Sequence, residues 1–260
     1  MHRLSTVILL ALFVFLIGGC AGSMKVKSYA PSPENGDKIS GTIVKPDGDG
    51  PFPAVIILHG CSGIYDNYYV WANRLKEWGY ASLVLNSTRG ITDCRSKRRT
   101  STLDRALDAH AAKVQFGDMP FVDRNRIGVL GFSAGGSGVL DAIRFNLTEY
   151  SLPDVAKDPF KAAIAFYPSC NRQVDSNTNL LILIGDKDQA LGASACELNL
   201  PKAHDQKSEI VLKVYPDTYH AFDFHMIDTV STWKGIRSKY NQAATEDAIS
   251  RVKAFFDKYL

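Results

Sequence analysis

Ser133 stands in the segment Gly131-Phe132-Ser133-Ala134-Gly135-Gly136, a G-x-S-x-G pattern. A serine hydroxyl is a competent nucleophile only when a base nearby takes its proton. The pattern supplies a sharp strand-to-helix turn that holds the hydroxyl out, and small residues at 131 and 135 let strand and helix approach. Arg126–Gly131 reads as a strand and Ala134 onward as a helix. The first N–H groups of such a helix point to the same place as the hydroxyl. The alternative, a glycine-rich helix start with Ser133 as its N-cap, fits this strand–turn–helix setting less well.

The base must be a histidine within reach, and in chains built on this turn the order is serine, acid, histidine. After Ser133 the histidines are His204, His220 and His225. His220 lies in a loop just past the strand-like Ile210–Tyr215, where a triad histidine is needed. His204 sits at a polar helix end, Lys202-Ala203-His204-Asp205, and reads as solvated; His225 is the second choice. The acid should end an earlier strand, and Leu181–Gly185 runs into Asp186-Lys187-Asp188. Asp188 is further out and freer to reach the histidine, while Asp186 suits the turn itself. Acyl transfer also needs donors for an oxyanion. One is the N–H of Ala134. The second is assigned to Cys61, in Leu58-His59-Gly60-Cys61-Ser62-Gly63, with His59 read as structural.

The elements that would position these groups alternate. Strand-like segments are Lys38–Lys45, Ala54–His59, Tyr80–Asn86, Arg126–Gly131, Ala162–Tyr167, Leu180–Gly185 and Ile210–Tyr215. Runs such as Val55-Ile56-Ile57-Leu58 are apolar throughout, as in strands buried on both faces of a parallel sheet. Between them lie helix-like stretches at Asn67–Trp78, Leu103–Phe116, Ala134–Phe145, Ala195–His204 and Thr245–Tyr259. Alternation of this kind predicts an α/β fold with helices on both faces of a mostly parallel twisted sheet. Ligands then bind beyond the carboxyl ends of the strands, where the candidate residues fall. Trp71, Trp78 and Phe116 fall within helices and read as core.

The chain has 260 residues and a formal net charge of +3. That balance gives no support for a nucleic-acid partner. His2 and Arg3 precede an unbroken apolar run, Val7–Ile17, too short to span a bilayer and suited to a signal peptide. It ends in Leu16-Ile17-Gly18-Gly19-Cys20, which resembles the bacterial lipoprotein signal. That resemblance implies a lipidated Cys20 heading the mature chain. Ala21 in place of Asp implies the periplasmic face of the outer membrane. The expected organisation is a signal over 1–20, a tether over 21–37 and one folded domain over 38–260. Of five cysteines, Cys61, Cys94, Cys170 and Cys196 remain, an even number that suggests disulfides in an oxidising compartment, with three pairings open. No metal-ligand spacing, phosphate loop or dinucleotide fingerprint occurs, so neither metal nor cofactor is expected.

Taken together, these pieces resemble the dienelactone hydrolase family of α/β-hydrolases, from about Lys38 to the C-terminus. The residues that carry the resemblance are His59-Gly60-Cys61-Ser62-Gly63, Asn86-Ser87-Thr88-Arg89-Gly90, Arg126-Ile127-Gly128 leading into Gly131–Gly136, Gly185-Asp186-Lys187-Asp188, and Tyr215-Pro216 through His220-Ala221-Phe222. The resemblance implies the α/β-hydrolase fold, Asp188 as the acid and His220 as the base. It also implies the pairings Cys61–Cys94 and Cys170–Cys196, each bracing an active-site loop. One departure matters: the namesake enzymes carry Cys where this chain has Ser133, and their substrate is a small lactone bearing a carboxylate. A serine fits the branch that hydrolyses varied esters.

Only a short segment separates Tyr167 from the acid strand, so no large cap is expected and the site should be open. The loop from Ser87 to Thr100 carries Arg89, Arg95, Lys97, Arg98 and Arg99. Residues 95–99 read as a solvated basic stretch. Arg89, nearest the strand end, would either contact an acidic group of the substrate or brace the loop. The expected activity is hydrolysis of small carboxylic esters or lactones through an acyl-enzyme. A peptidase of prolyl-oligopeptidase type shares the serine turn, and a non-catalytic envelope protein that binds through the same fold is the remaining alternative.

Overall fold

The computed structural model describes residues 22–30, 39–144, 152, 158–173, 175–176, 178–189, 192–203, 207–233 and 236–260. The expected signal segment with Cys20, part of the expected tether, and His204 lie outside them.

Val55 to Leu58 are fully buried, as a strand covered on both faces must be. They belong to a sheet of eight strands: β1 (Gly22–Val26), β2 (Ile39–Val44), β3 (Phe52–Leu58), β4 (Ala81–Asn86), β5 (Val122–Phe132), β6 (Ala162–Phe166), β8 (Asn179–Gly185) and β10 (Ile210–Tyr215). The spatial order is β1-β2-β4-β3-β5-β6-β8-β10. From β4 to β10 every pairing is parallel, while β1 and β2 are antiparallel at one edge. The chain passes from β3 to β4 on one side and then crosses back from β4 to β5 on the other side of β3. The crevice at the carboxyl ends of β3 and β5 is therefore a topological switch point, the usual ligand position in such sheets.

Among the described residues, five helices accompany the sheet: α1 (Asp66–Glu77), α2 (Thr102–Gly117), α3 (Ala134–Ala142), α4 (Ala193–Leu198) and α5 (Gln242–Tyr259). Alternation along β5 sorts the longer four onto two faces. A side chain at 131 would meet Val139 of α3, and Ile127 lies against Gly117 of α2. A side chain at 128 would instead meet Phe256 of α5, and Phe132 lies against Trp71 of α1. Ser101 caps α2 in a reciprocal capping box with Asp104, satisfying N–H groups that the helix leaves unpaired.

Three features depart from the sequence reading. Residues 22–30, expected as tether, are docked: β1 pairs with β2, and Ser28 hydrogen-bonds Asp108. The helix expected over Ala195–His204 is the shorter α4, followed by Lys202–Ala203 (β9), which pairs with Asp175–Ser176 (β7). A hairpin of Ser231–Trp233 (β11) and Ile236–Ser238 (β12) follows the histidine loop, where no element was expected. No helix among the described residues is long and apolar enough to cross a membrane.

Candidate active site

β5 ends in the turn that carries Ser133. The residue has φ 54° and ψ −118°, a region that L residues adopt only when their surroundings impose it. The imposition is visible at Gly135, where a Cβ would stand 2.2 Å from the carbonyl oxygen of Leu58. Only a glycine lets α3 sit this close to β3. The Ser133 N–H is fixed by a 3.0 Å bond to the Phe166 carbonyl of β6. The amide of Ala134 opens α3, where the helix offers it no internal acceptor.

His220 and Asp188 come to this turn from the far side of the sheet. His220 Nε2 lies 3.0 Å from Ser133 Oγ, and its Nδ1 lies 2.7 Å from Asp188 Oδ2. Both side chains are nearly inaccessible, the Asp188 side chain completely so. With Nδ1–H donating to the carboxylate, Nε2 turns its lone pair to the serine. Asp186 does not reach the histidine. It ties the acid loop to the histidine loop, its N–H donating to the Tyr215 carbonyl and its Oδ1 accepting from Thr218 N–H at 3.3 Å. Gly185 permits this contact, since a Cβ there would stand 2.0 Å from the Thr218 carbonyl oxygen. His225 is exposed.

The loop after β3 carries Gly60, Cys61 and Ser62 along the edge of a cavity beside Ser133. It is pinned from behind. Gly60 N–H donates to Tyr68 Oη at 2.9 Å. His59 is buried, its Nδ1 2.5 Å from the Gly60 carbonyl and its Nε2 accepting from Ser87 N–H at 3.1 Å. Arg105, also buried, donates to the His59 carbonyl and to Ser87 Oγ at 3.1 and 3.2 Å. Disulfides join Cys61 to Cys94 and Cys170 to Cys196. The first ties the β3 loop to the loop after β4, and the second ties the loop after β6 to α4.

Burial, with the Arg105 guanidinium as a second cause, pushes His59 from 6.5 down to about 3. Below pH 6.5 the unfolded chain takes a proton on this ring that the folded chain does not. Its contribution to stability is therefore full above pH 6.5 and is lost as pH falls towards 3. The expected slope is about 1.4 kcal/mol per pH unit in that window. Urea titrations from neutral to acid pH check it. His59→Gln should be less stable at neutral pH yet show a dependence flatter by about one proton; an unchanged slope would assign the titration to another group.

Arg89 is not at the cavity. Its guanidinium makes two bonds to Asp108 of α2, at 2.7 and 2.9 Å, and a third to Ser28 Oγ. Of its two expected roles the geometry matches the brace, because a buried carboxylate one helix away already holds the charge. Arg95 is exposed and lies 3.9 Å from Asp93.

The cavity beside Ser133 measures about 300 Å³. Sequence reasoning missed most of its walls. Tyr68 and Tyr65 come from α1 and the turn before it, Tyr167 from the end of β6, and Ile236 and Ser238 from the unexpected hairpin. β12 is held against the histidine loop by His220 N–H to the Arg237 carbonyl and Lys239 N–H to the His220 carbonyl, both 3.3 Å. The Tyr167 ring packs on His220 with centroids 4.5 Å apart. Its hydroxyl donates to Asp223 Oδ1 at 2.6 Å, and the other carboxylate oxygen accepts from Asn67 Nδ2 and Trp71 Nε1 at 2.7 and 2.8 Å. Burial, reinforced by the Asp223 charge, holds the Tyr167 phenol well above its ordinary value. Its place directly after a strand, at the carboxyl edge, was the signal that could have found it. Among the described residues no group of three His, Cys, Asp or Glu side chains gathers as a metal site.

A parallel sheet with helices on both faces and a serine turn at its switch point define an α/β-hydrolase. The chain belongs to the dienelactone hydrolase family, whose model matches residues 39–260, and is a carboxylic ester hydrolase. A protein of Escherichia coli (strain K12) named as a carboxymethylenebutenolidase is 25% identical over 261 aligned residues, covering 90% of this chain and 88% of that protein. Lipase 1 of Moraxella sp. (strain TA144) is 32% identical over 103 residues, 38% of this chain and only 31% of the lipase. Among solved structures, the Thermogutta terrifontis esterase Est2 with bound propionate superposes with a TM-score of 0.63 at 15% identity, covering 92% of this chain and 94% of the esterase.

Proposed function

We propose that the chain hydrolyses small carboxylic esters or lactones through an acyl-enzyme on Ser133. The observation that carries this reading is the unbroken line Asp188–His220–Ser133, at 2.7 and 3.0 Å, with the serine held on a strained turn. Ser133 Oγ attacks the ester carbonyl carbon while its proton passes to His220 Nε2. The negative charge that develops on the carbonyl oxygen is met by the N–H groups of Ala134 and Cys61. Collapse re-forms the carbonyl and expels the alcohol, which takes the proton from His220. Water then loses a proton to His220 as it attacks the acyl carbon, and His220 returns that proton to Ser133 Oγ as the second tetrahedral intermediate collapses and the carboxylic acid leaves. Asp188 stays ionised and holds His220 in the tautomer that both steps require.

Two features behind the reacting atoms support the reading. His59 and Arg105 hold the backbone at Gly60 and Cys61 from the rear, and the Cys61–Cys94 disulfide holds the same loop from the side. An oxyanion site works only if its donors do not have to reorganise during the reaction. An alkyl fluorophosphonate should add to Ser133 and to no other residue, as peptide mass mapping would show. Absence of the adduct on folded protein, or its appearance elsewhere, would overturn the assignment.

A further inference from the structure

We propose that the cavity takes a neutral, apolar acyl group and rejects esters whose acyl chain ends in a carboxylate; the inference rests on the ester-hydrolase reading above. A carboxylate is bound out of bulk water only where a cation or several N–H donors stand within its reach. Among the described residues lining this cavity there is no lysine or arginine. The walls are mostly aromatic and aliphatic, Tyr65, Tyr68, Phe132, Phe224, Ile227 and Ile236 among them, and the polar side chains beside them, such as Asn67 and Ser231, are neutral. A carboxylate placed among them would lose part of its water and gain no charged partner, which disfavours the ionised form.

Among the described residues, three arginines close to the site are committed elsewhere. Arg89 is bonded to Asp108. Arg105 lies behind the β3 loop, bonded to the His59 carbonyl and Ser87 Oγ. Arg237 stands between Ile236 and Ser238, both of which line the cavity, so strand alternation turns it to the other face. There it lies over the Tyr219 ring, 4.9 Å from its centroid, and donates to the Tyr219 hydroxyl.

A buried charge behind this wall has the wrong sign for an anion. Asp223 is 4% exposed, and its bonded partners Asn67, Trp71 and Tyr167 are all neutral. Two of them, Asn67 and Tyr167, form part of the cavity wall. A carboxylate in the cavity would thus face a second carboxylate through one layer of side chains, in a setting that screens it weakly.

The test compares two esters of equal chain length, 4-nitrophenyl pentanoate and mono-4-nitrophenyl glutarate, which differ by a terminal carboxylate. The expected kcat/KM for the glutarate is lower by about 100-fold or more. Tyr65→Arg places a cation on the wall at a position already 48% exposed, and should narrow that ratio by at least about tenfold. Equal rates, or faster turnover of the glutarate, would overturn the substrate class and leave the ester-hydrolase reading intact. Where both esters turn over too slowly to compare, labelling rates of an alkyl and an ω-carboxyalkyl fluorophosphonate give the same ratio. Failure of both probes to label Ser133 would overturn the hydrolase reading and this inference with it.

Discussion

Ser133→Ala should lower kcat on a short-chain nitrophenyl ester by about a million-fold, leaving only background turnover. The substitution removes the atom to which the proposed mechanism assigns the new bond and leaves everything around it in place. The turn is set by Gly135 against β3 and by the Ser133 N–H bond to Phe166, and neither needs the hydroxyl. Substrate affinity and thermal stability should therefore change little. Alanine at a φ of 54° is strained to about the same degree as serine. Progress curves on purified wild type and variant at matched concentrations decide it. Comparable rates in the two would show that turnover arises outside this site.

The second large effect is expected at Asp188. Asp188→Asn should lower kcat by about ten-thousand-fold with little change in KM. The carboxylate accepts from His220 Nδ1 at 2.7 Å. An amide can turn its NH₂ to that nitrogen, which moves the ring proton to Nε2. The ring then offers Ser133 a hydrogen where it needs a lone pair. Asp186→Asn is the control. Asp186 Oδ1 accepts from Thr218 N–H, a bond that an asparagine carbonyl can keep, and it makes no contact with the ring. Rates for the two variants at neutral pH separate the roles. A loss at position 186 as large as that at 188 would mean that the loop's shape, and not the histidine's tautomer, limits the reaction.

These expectations have different origins in the chain. The serine turn was legible because its requirements are local: a strand, two small residues and a helix start within six positions. The parallel sheet was legible because strands buried on both faces must be apolar throughout, and Val55–Leu58 and Leu181–Ile184 are. The preference for Asp188 over Asp186 came from freedom of reach and from the family's spacing, and the geometry places Asp188 alone on the histidine. Both disulfide pairings followed from the family's strand order, in which β3 neighbours β4 and β6 neighbours β8.

The walls of the site had no such local signature. Asp223 meets Asn67 and Trp71 across 156 and 152 residues of sequence, and nothing in the spacing of either marks the other. Arg89 reads from sequence as a cation at a strand end, open to a substrate contact or to bracing its loop. Only the packing of α2 against the sheet brings Asp108 beneath it, a contact that turns a candidate substrate ligand into a brace. β1 is too short and too polar to announce itself, and it forms because β2 would otherwise present an unpaired edge. The hairpin that closes one side of the cavity lies in a mixed polar stretch without a clear two-residue period. The sequence by itself determined the serine turn, the aspartate and histidine loops that meet it and the sheet that carries them, since each depends on local pattern and on chain order. Which charges remain available to a substrate was decided only by the tertiary structure, because pairing and burial depend on neighbours that the chain brings together from far apart.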